Sequence, residues 1–156
     1  MQNIEVQEIK LSNPITAIGK VFIGDYGNSQ QYITEVHDLL SQKSIPFIDN
    51  KVMGVYYDNP QDKKPEELRS FQGAFLSNQS DIDKIDSTLT QLTLQGNCIY
   101  TKISGDPIQS IFEGYGALFN YIQDQKITLR SNSGYQISTY ENGRITTEIY
   151  MEVQIQ

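Results

Sequence analysis

The chain has 156 residues, 12 of them basic and 19 acidic, for a net charge of −7. That length suits one domain with a real core, and an acidic chain is a poor neutraliser of phosphates, so direct nucleic-acid binding is not expected. Charged residues make up only 20%, Trp is absent, and ten Tyr and six Phe must line a core or a pocket, which excludes a disordered chain.

No stretch approaches the ~18 apolar residues of a membrane span. Met1 to Glu5 has no basic segment leading into an apolar one, so a secretory signal is not expected. The single cysteine, Cys98, cannot form an internal disulfide and reads as a buried structural thiol beside Ile99 and Tyr100. These features predict a soluble cytoplasmic protein with no membrane partner.

In chain order, Ile4 to Ile9 alternates and predicts a strand. Asn13-Pro14 signals a turn, and Ile15 to Ile23 is a second β-prone run, ended by Gly24-Asp25-Tyr26-Gly27. A helix begins at Ser29, with Ile33, Val36, Leu39 and Leu40 on one face, and ends near Ser44. Val52 to Asp58 is a strand. Asn59 to Glu67, with two prolines and mixed charges, is a solvated loop, and Leu68 to Leu76 is another strand. Asp81, Asp83, Lys84 and Asp86 mark a linker.

The order then repeats. Two β-prone runs flank Gly96-Asn97 between Leu89 and Ser104, and Gly105-Asp106-Pro107 ends them as Gly24-Asp25 ended the first pair. A second helix carries Ile111, Tyr115, Leu118, Phe119 and Ile122 on one face. Tyr135 to Tyr140 is a strand, Glu141-Asn142-Gly143-Arg144 a tight hairpin turn, and Ile145 to Ile155 the last strand. The expected fold is α+β. It consists of duplicated βαββ-type units with pseudo-two-fold symmetry, about residues 1–80 and 86–156 of one domain. The sheet is mostly antiparallel, with helices on one face and a ligand cleft between the halves.

Chemistry concentrates in the last strand. From Thr147 to Val153 the residues alternate: Ile149, Met151 and Val153 point one way, Glu148, Tyr150 and Glu152 the other. On pattern alone the second face is either an ordinary solvated one or the lining of an aromatic pocket. In a pocket, Glu148 would need tyrosine hydroxyls or a cationic ligand to offset its desolvation.

The sequence resembles the GyrI-like effector-binding domain, also found as the ligand domain of multidrug-responsive transcription activators. Three segments carry the resemblance: Gly54 to Pro60 with Glu67-Leu68-Arg69-Ser70, Tyr115 to Ile122, and Thr147 to Val153. The resemblance implies a pocket with Glu148 at its base, facing hydrophobic cations. It also implies aromatic walls from Tyr150, from Tyr115 on the second helix, and from one of Tyr56 and Tyr57. Phe71 follows Arg69 as Tyr150 follows Glu148, which adds it to the candidates. Relatives often carry Trp where this chain has Tyr121, and Pro where it has Glu152. A DNA-binding segment precedes the domain in regulatory relatives; here residue 1 is already expected to enter the first strand, so a regulatory role would need a separate partner.

His37, the only histidine, reads as a surface or cap residue, and one histidine cannot build a His-rich metal site. No phosphate-cradling or nucleophile-elbow motif is present, so no cofactor or metal is expected. Three functions follow. The first is a stand-alone binder of small, hydrophobic, cationic drug-like molecules, acting by sequestration or by signalling to a partner. The second is a protein-interaction module of gyrase-inhibitor type. The third is a hydrolase of electrophilic rings, with Glu148 as general base and Tyr115 as hydroxyl donor.

Overall fold

The computed structural model describes residues 4–154, the side chains of residues 107 and 108 aside. It is an α+β fold with antiparallel strand pairs throughout the registers given below. The strands are β1 (Gln7–Ile23), β2 (Phe47–Tyr56), β3 (Arg69–Leu76), β4 (Thr90–Ser104), β5 (Tyr135–Glu141) and β6 (Arg144–Glu152). The helices are α1 (Ser29–Gln42) and α2 (Pro107–Gln125). No helix among the described residues is long and apolar enough to cross a membrane.

The chain divides into two compact units, Thr16–Thr93 and the remainder, Met1–Ile15 with Leu94–Gln156. The boundaries fall inside β1 and inside β4, not in the acidic segment expected to link two halves. That segment lies within the first of these units, where Asp81 pairs with Lys84 at 2.9 Å and Asp86 pairs with Lys43. Each expected pair of short strands is one long strand. Asn13-Pro14 does not break β1, because a proline with no N–H to donate is tolerated where its side is exposed. Gly96 is absorbed into β4 at φ +85°, a conformation that glycine adopts at little cost.

In the Thr16–Thr93 unit, β3 lies between β1 and β2. Helix α1 buries Ile33, Val36 and Leu40 against Ile18, Ala74 and Leu76, with Phe22, Leu39, Phe47 and Val52 at the margins. Each large aliphatic side chain so buried contributes about 1.5–3 kcal/mol. The helix closes in the manner expected of a left-handed cap: Ser44 has φ +58° and Ile45 N donates to Leu40 O at 2.9 Å. The opposite face of the same sheet carries Met53, Val55, Phe71 and Phe75, all buried. Gly73 sits beneath Phe71, where an added Cβ would lie 2.6 Å from the ring. The β2–β3 connection is not simply solvated. The Asp58 carboxylate is 7% exposed and accepts from Arg69 N, Nε and Nη2 at 2.8, 3.0 and 2.9 Å, and from Lys63 Nζ at 3.0 Å. Those donors hold its carboxyl far below the usual range.

His37 corrects the surface reading. Its ring stacks on Phe47 at 4.3 Å and 15°, and its Nε2 is buried with no hydrogen-bond partner among the described residues. Burial pulls its pKa below the ordinary value, against the opposing pull of Asp49 and Asp38.

In the other unit, β6 lies between β4 and β5. Helix α2 packs Leu118, Ile111, Tyr115 and Ile122 onto Ile99, Ile103, Ile149 and Met151. Ile4 and Val6 join that cluster, although the regular strand starts only at Gln7. The hairpin turn is as expected: Asn142 and Gly143 have φ +51° and +74°, the pattern of a two-residue type I′ loop. The last strand stops at Glu152, with Val153 held by a bridge to Leu129; the expected end at Ile155 lies outside the described residues.

Candidate functional site

Directly paired residues in an antiparallel sheet share a face. Ile149 and Met151 are committed to α2, so Glu148, Tyr150 and Glu152 must project from the helix-free side. Register then sets their neighbours. Tyr150 stands between Tyr100 on β4 and Tyr135 on β5, and Glu148 stands between Lys102 and Ile137. Cys98 pairs with Glu152. The helix-free face therefore presents a row of three tyrosines flanked by two carboxylates.

Glu148 is half-buried, and its Oε2 accepts from two hydroxyls, Tyr100 Oη at 2.9 Å and Tyr150 Oη at 3.1 Å. The two rings lie 4.9 Å apart at 51°. Both phenols are pushed well above their ordinary pKa, first by burial and then by the adjacent carboxylate, so they remain donors across the neutral range. Among the described residues, nothing donates to the other carboxylate oxygen, Oε1. A carboxylate has acceptor capacity for about four hydrogen bonds, so Glu148 keeps capacity for a further donor or a cation. On the side away from Tyr150 it borders a recess of about 210 Å³ lined also by Lys102, Thr139, Glu141 and Thr146.

At the far end of the row, Glu152 accepts from Tyr135 Oη at 3.0 Å and lies 3.8 Å from the Arg130 guanidinium. Burial, reinforced by this carboxylate, pushes the Cys98 thiol up to about 11, so it is an inert structural thiol. No group of three or more metal-ligating side chains exists among the described residues.

Of the six residues singled out from sequence, Glu148 and Tyr150 are in direct hydrogen-bond contact. Tyr115 lies on the opposite face: it packs against the α2 cluster, its hydroxyl accepts from Gln136 Nε2 at 2.9 Å, and its ring covers Gly134. Tyr56 likewise points to the helix side of its own sheet, where its hydroxyl meets Ser29 Oγ at 3.3 Å and its ring meets Tyr26 edge-on. Tyr57, 37% exposed, and Phe71, 1% exposed, belong to the Thr16–Thr93 unit. Tyr100 and Tyr135 were not anticipated. Counting back from the Asn142-Gly143 turn places Tyr135 opposite Tyr150, so that residue was within reach of the sequence.

The chain belongs to the GyrI-like small molecule binding domain family, whose model matches residues 6–156. Its fold is similar to that of the EcmrR C-terminal domain, with a TM-score of 0.67 at 13% identity, covering 99% of this chain and 98% of that one. It is also similar to a hydrolase from Listeria innocua, with a TM-score of 0.56 at 8% identity, covering 96% and 92% of the two chains. A third similar structure is SAV2435 bound to tetraphenylphosphonium, with a TM-score of 0.50 at 17% identity, covering 98% and 94%. No curated protein sequence matches the chain.

Proposed function

We propose that this chain binds hydrophobic cations, with Glu148 as the charge partner and Tyr100 and Tyr150 as aromatic contacts. The observation that carries this reading is the state of the Glu148 carboxylate. One oxygen is held by two tyrosine hydroxyls, and the other accepts from no described residue. The hydroxyls fix the position of the charge, and a cation supplies the compensation that a half-buried carboxylate needs. Tyrosine faces add cation–π attraction. The fold similarity to SAV2435 bound to tetraphenylphosphonium supports a ligand of this class. The matching strand–helix–strand–strand order of the two units supports their reading as copies of one βαββ pattern.

The test is calorimetric titration of tetraphenylphosphonium into the wild type and Glu148→Gln. The amide keeps the size and an acceptor but loses the charge, so the affinity is expected to fall about tenfold or more. Equal binding by both proteins overturns the reading. Failure of tetraphenylphosphonium and of every other cation to bind turns attention to a protein partner.

The same geometry supports a second reading, in which Glu148 is the base of a hydrolase. The hydroxyl partner is then Tyr100 or Tyr150, which touch the carboxylate, and not Tyr115, which does not. Turnover of an electrophilic ring substrate, abolished by Glu148→Gln with substrate affinity retained, separates this reading from simple binding.

A further inference from the structure

We infer that the recess beside Glu148 recognises zwitterions: its ligand carries an anionic group next to the cationic one, and Lys102 receives that group. The inference rests on Glu148 being the cation anchor. It adds a second charge partner, which narrows the ligand class.

The argument starts from register. Lys102 and Glu148 are direct cross-strand partners on β4 and β6, so their Cβ atoms stand about 4.5–5.5 Å apart on the same face. Both line the same recess of about 210 Å³. Two opposite charges placed so closely usually pair. Here they do not: the Glu148 Oε2 is taken by Tyr100 and Tyr150, and among the described residues the Lys102 ammonium makes neither an ion pair nor a hydrogen bond. The carboxylate is half-buried and the lysine exposed, so the two ends of the recess differ in depth as well as in sign.

The rest of the lining agrees with a polar head group. Thr139 and Thr146, which face each other across the β5–β6 hairpin, put hydroxyls on the wall, and Glu141 stands at its outer end opposite Arg144 in register. The volume equals that of about seven water molecules at ~30 Å³ each, enough for an ammonium with a neighbouring carboxylate. A purely cationic ligand satisfies Glu148 and leaves the Lys102 ammonium without a partner in the same recess. A ligand bearing both charges satisfies Glu148 and Lys102 together.

A matched pair of probes tests this: the quaternary amino acid trimethylglycine, whose carboxylate adjoins its ammonium at neutral pH, and its methyl ester, a simple cation. Affinities would be measured by calorimetry at low salt for the wild type, Lys102→Met and Glu148→Gln. The wild type is expected to prefer the acid. Lys102→Met should weaken the acid about threefold to fivefold and tighten the ester about twofold, the scale of one solvent-accessible charge contact. Glu148→Gln should weaken both probes. An acid-to-ester ratio unmoved by Lys102→Met, with both probes still dependent on Glu148, overturns the zwitterion inference alone. Indifference of both probes to Glu148→Gln, or no binding of either to the wild type at millimolar concentration, overturns the cation reading and this inference with it.

Discussion

The Thr16–Thr93 unit and the unit formed by the remaining chain share a strand order, with the last strand in the middle and a helix over one face, yet they use the uncovered face in opposite ways. In the first, that face holds Ala17, Met53, Val55, Phe71 and Phe75, each at most 6% exposed. In the second, beside buried Ile137 and Cys98, it holds Tyr100, Tyr135, Tyr150, Glu148, Glu152 and Lys102. Topology alone does not make a binding site. The same backbone plan supports an apolar packing surface in one place and a tyrosine-buttressed carboxylate in another, and the difference lies in the side chains at alternate strand positions.

The comparison predicts that the first face carries stability and the second carries binding. Phe71→Ala should cost about 3–5 kcal/mol in urea denaturation, the range for a fully buried aromatic. A loss below about 1 kcal/mol would show that the apolar face is not a core. Tyr100→Phe and Tyr150→Phe remove one hydrogen bond each from Glu148, so each should cost only about 0.5–1.5 kcal/mol while weakening tetraphenylphosphonium. A stability loss as large as that of Phe71→Ala would erase the distinction.

Tyr100 and Tyr150 have folded-state pKa values above the ordinary 10.0. Above pH 10 the unfolded chain therefore loses protons that the folded chain retains, and stability falls as pH rises. Tyr26, Tyr57 and Tyr121 are raised as well, so the double Tyr→Phe variant should reduce this alkaline limb in melting curves without removing it. His37, in the first unit, is shifted the other way, below the ordinary 6.5. The unfolded chain there binds the proton first, so stability is present above about pH 6.5 and declines as pH falls through the folded value. His37→Phe keeps the stacking on Phe47 and should flatten the acid limb near pH 6, the smallest of these effects. An alkaline limb untouched by the tyrosine changes, or an acid limb untouched at position 37, would assign the titrations elsewhere.

Much of the fold was legible because it is written in local patterns. The 3.6-residue spacing of Ile33, Val36 and Leu40 marked α1, and Asn142-Gly143 marked the hairpin with its register. The long strands were not legible, since Asn13-Pro14 and Gly96-Asn97 are turn signals that neighbouring strands override. The carboxylate was legible as one face of an alternating strand. Its principal partner was not. Tyr100 reaches Glu148 through the β4–β6 register, which depends on how α2 carries the chain between those strands, and no short-range pattern encodes that. Tyr56 and Tyr115 show side-chain commitments that the pattern does not encode. Both are aromatic and near the right segments, but Tyr56 turns to Ser29 and Tyr115 to Gln136, which commits each ring to the helix side.

The hydrogen bonds to Glu148 also differ in when they can form. Tyr150 is two residues away on the same strand, and the β5–β6 hairpin beneath it closes through a two-residue turn, a microsecond event for an isolated hairpin. Tyr100 is 48 residues distant and must wait for a long loop to close. In kinetic terms, Tyr150→Phe should slow folding if the hairpin belongs to the nucleus, whereas Tyr100→Phe should chiefly speed unfolding. If the hairpin forms first, the carboxylate is set in place by its own hairpin and clamped from β4 last, and the contact that completes the site is also the one whose loss most directly shortens the life of the folded state.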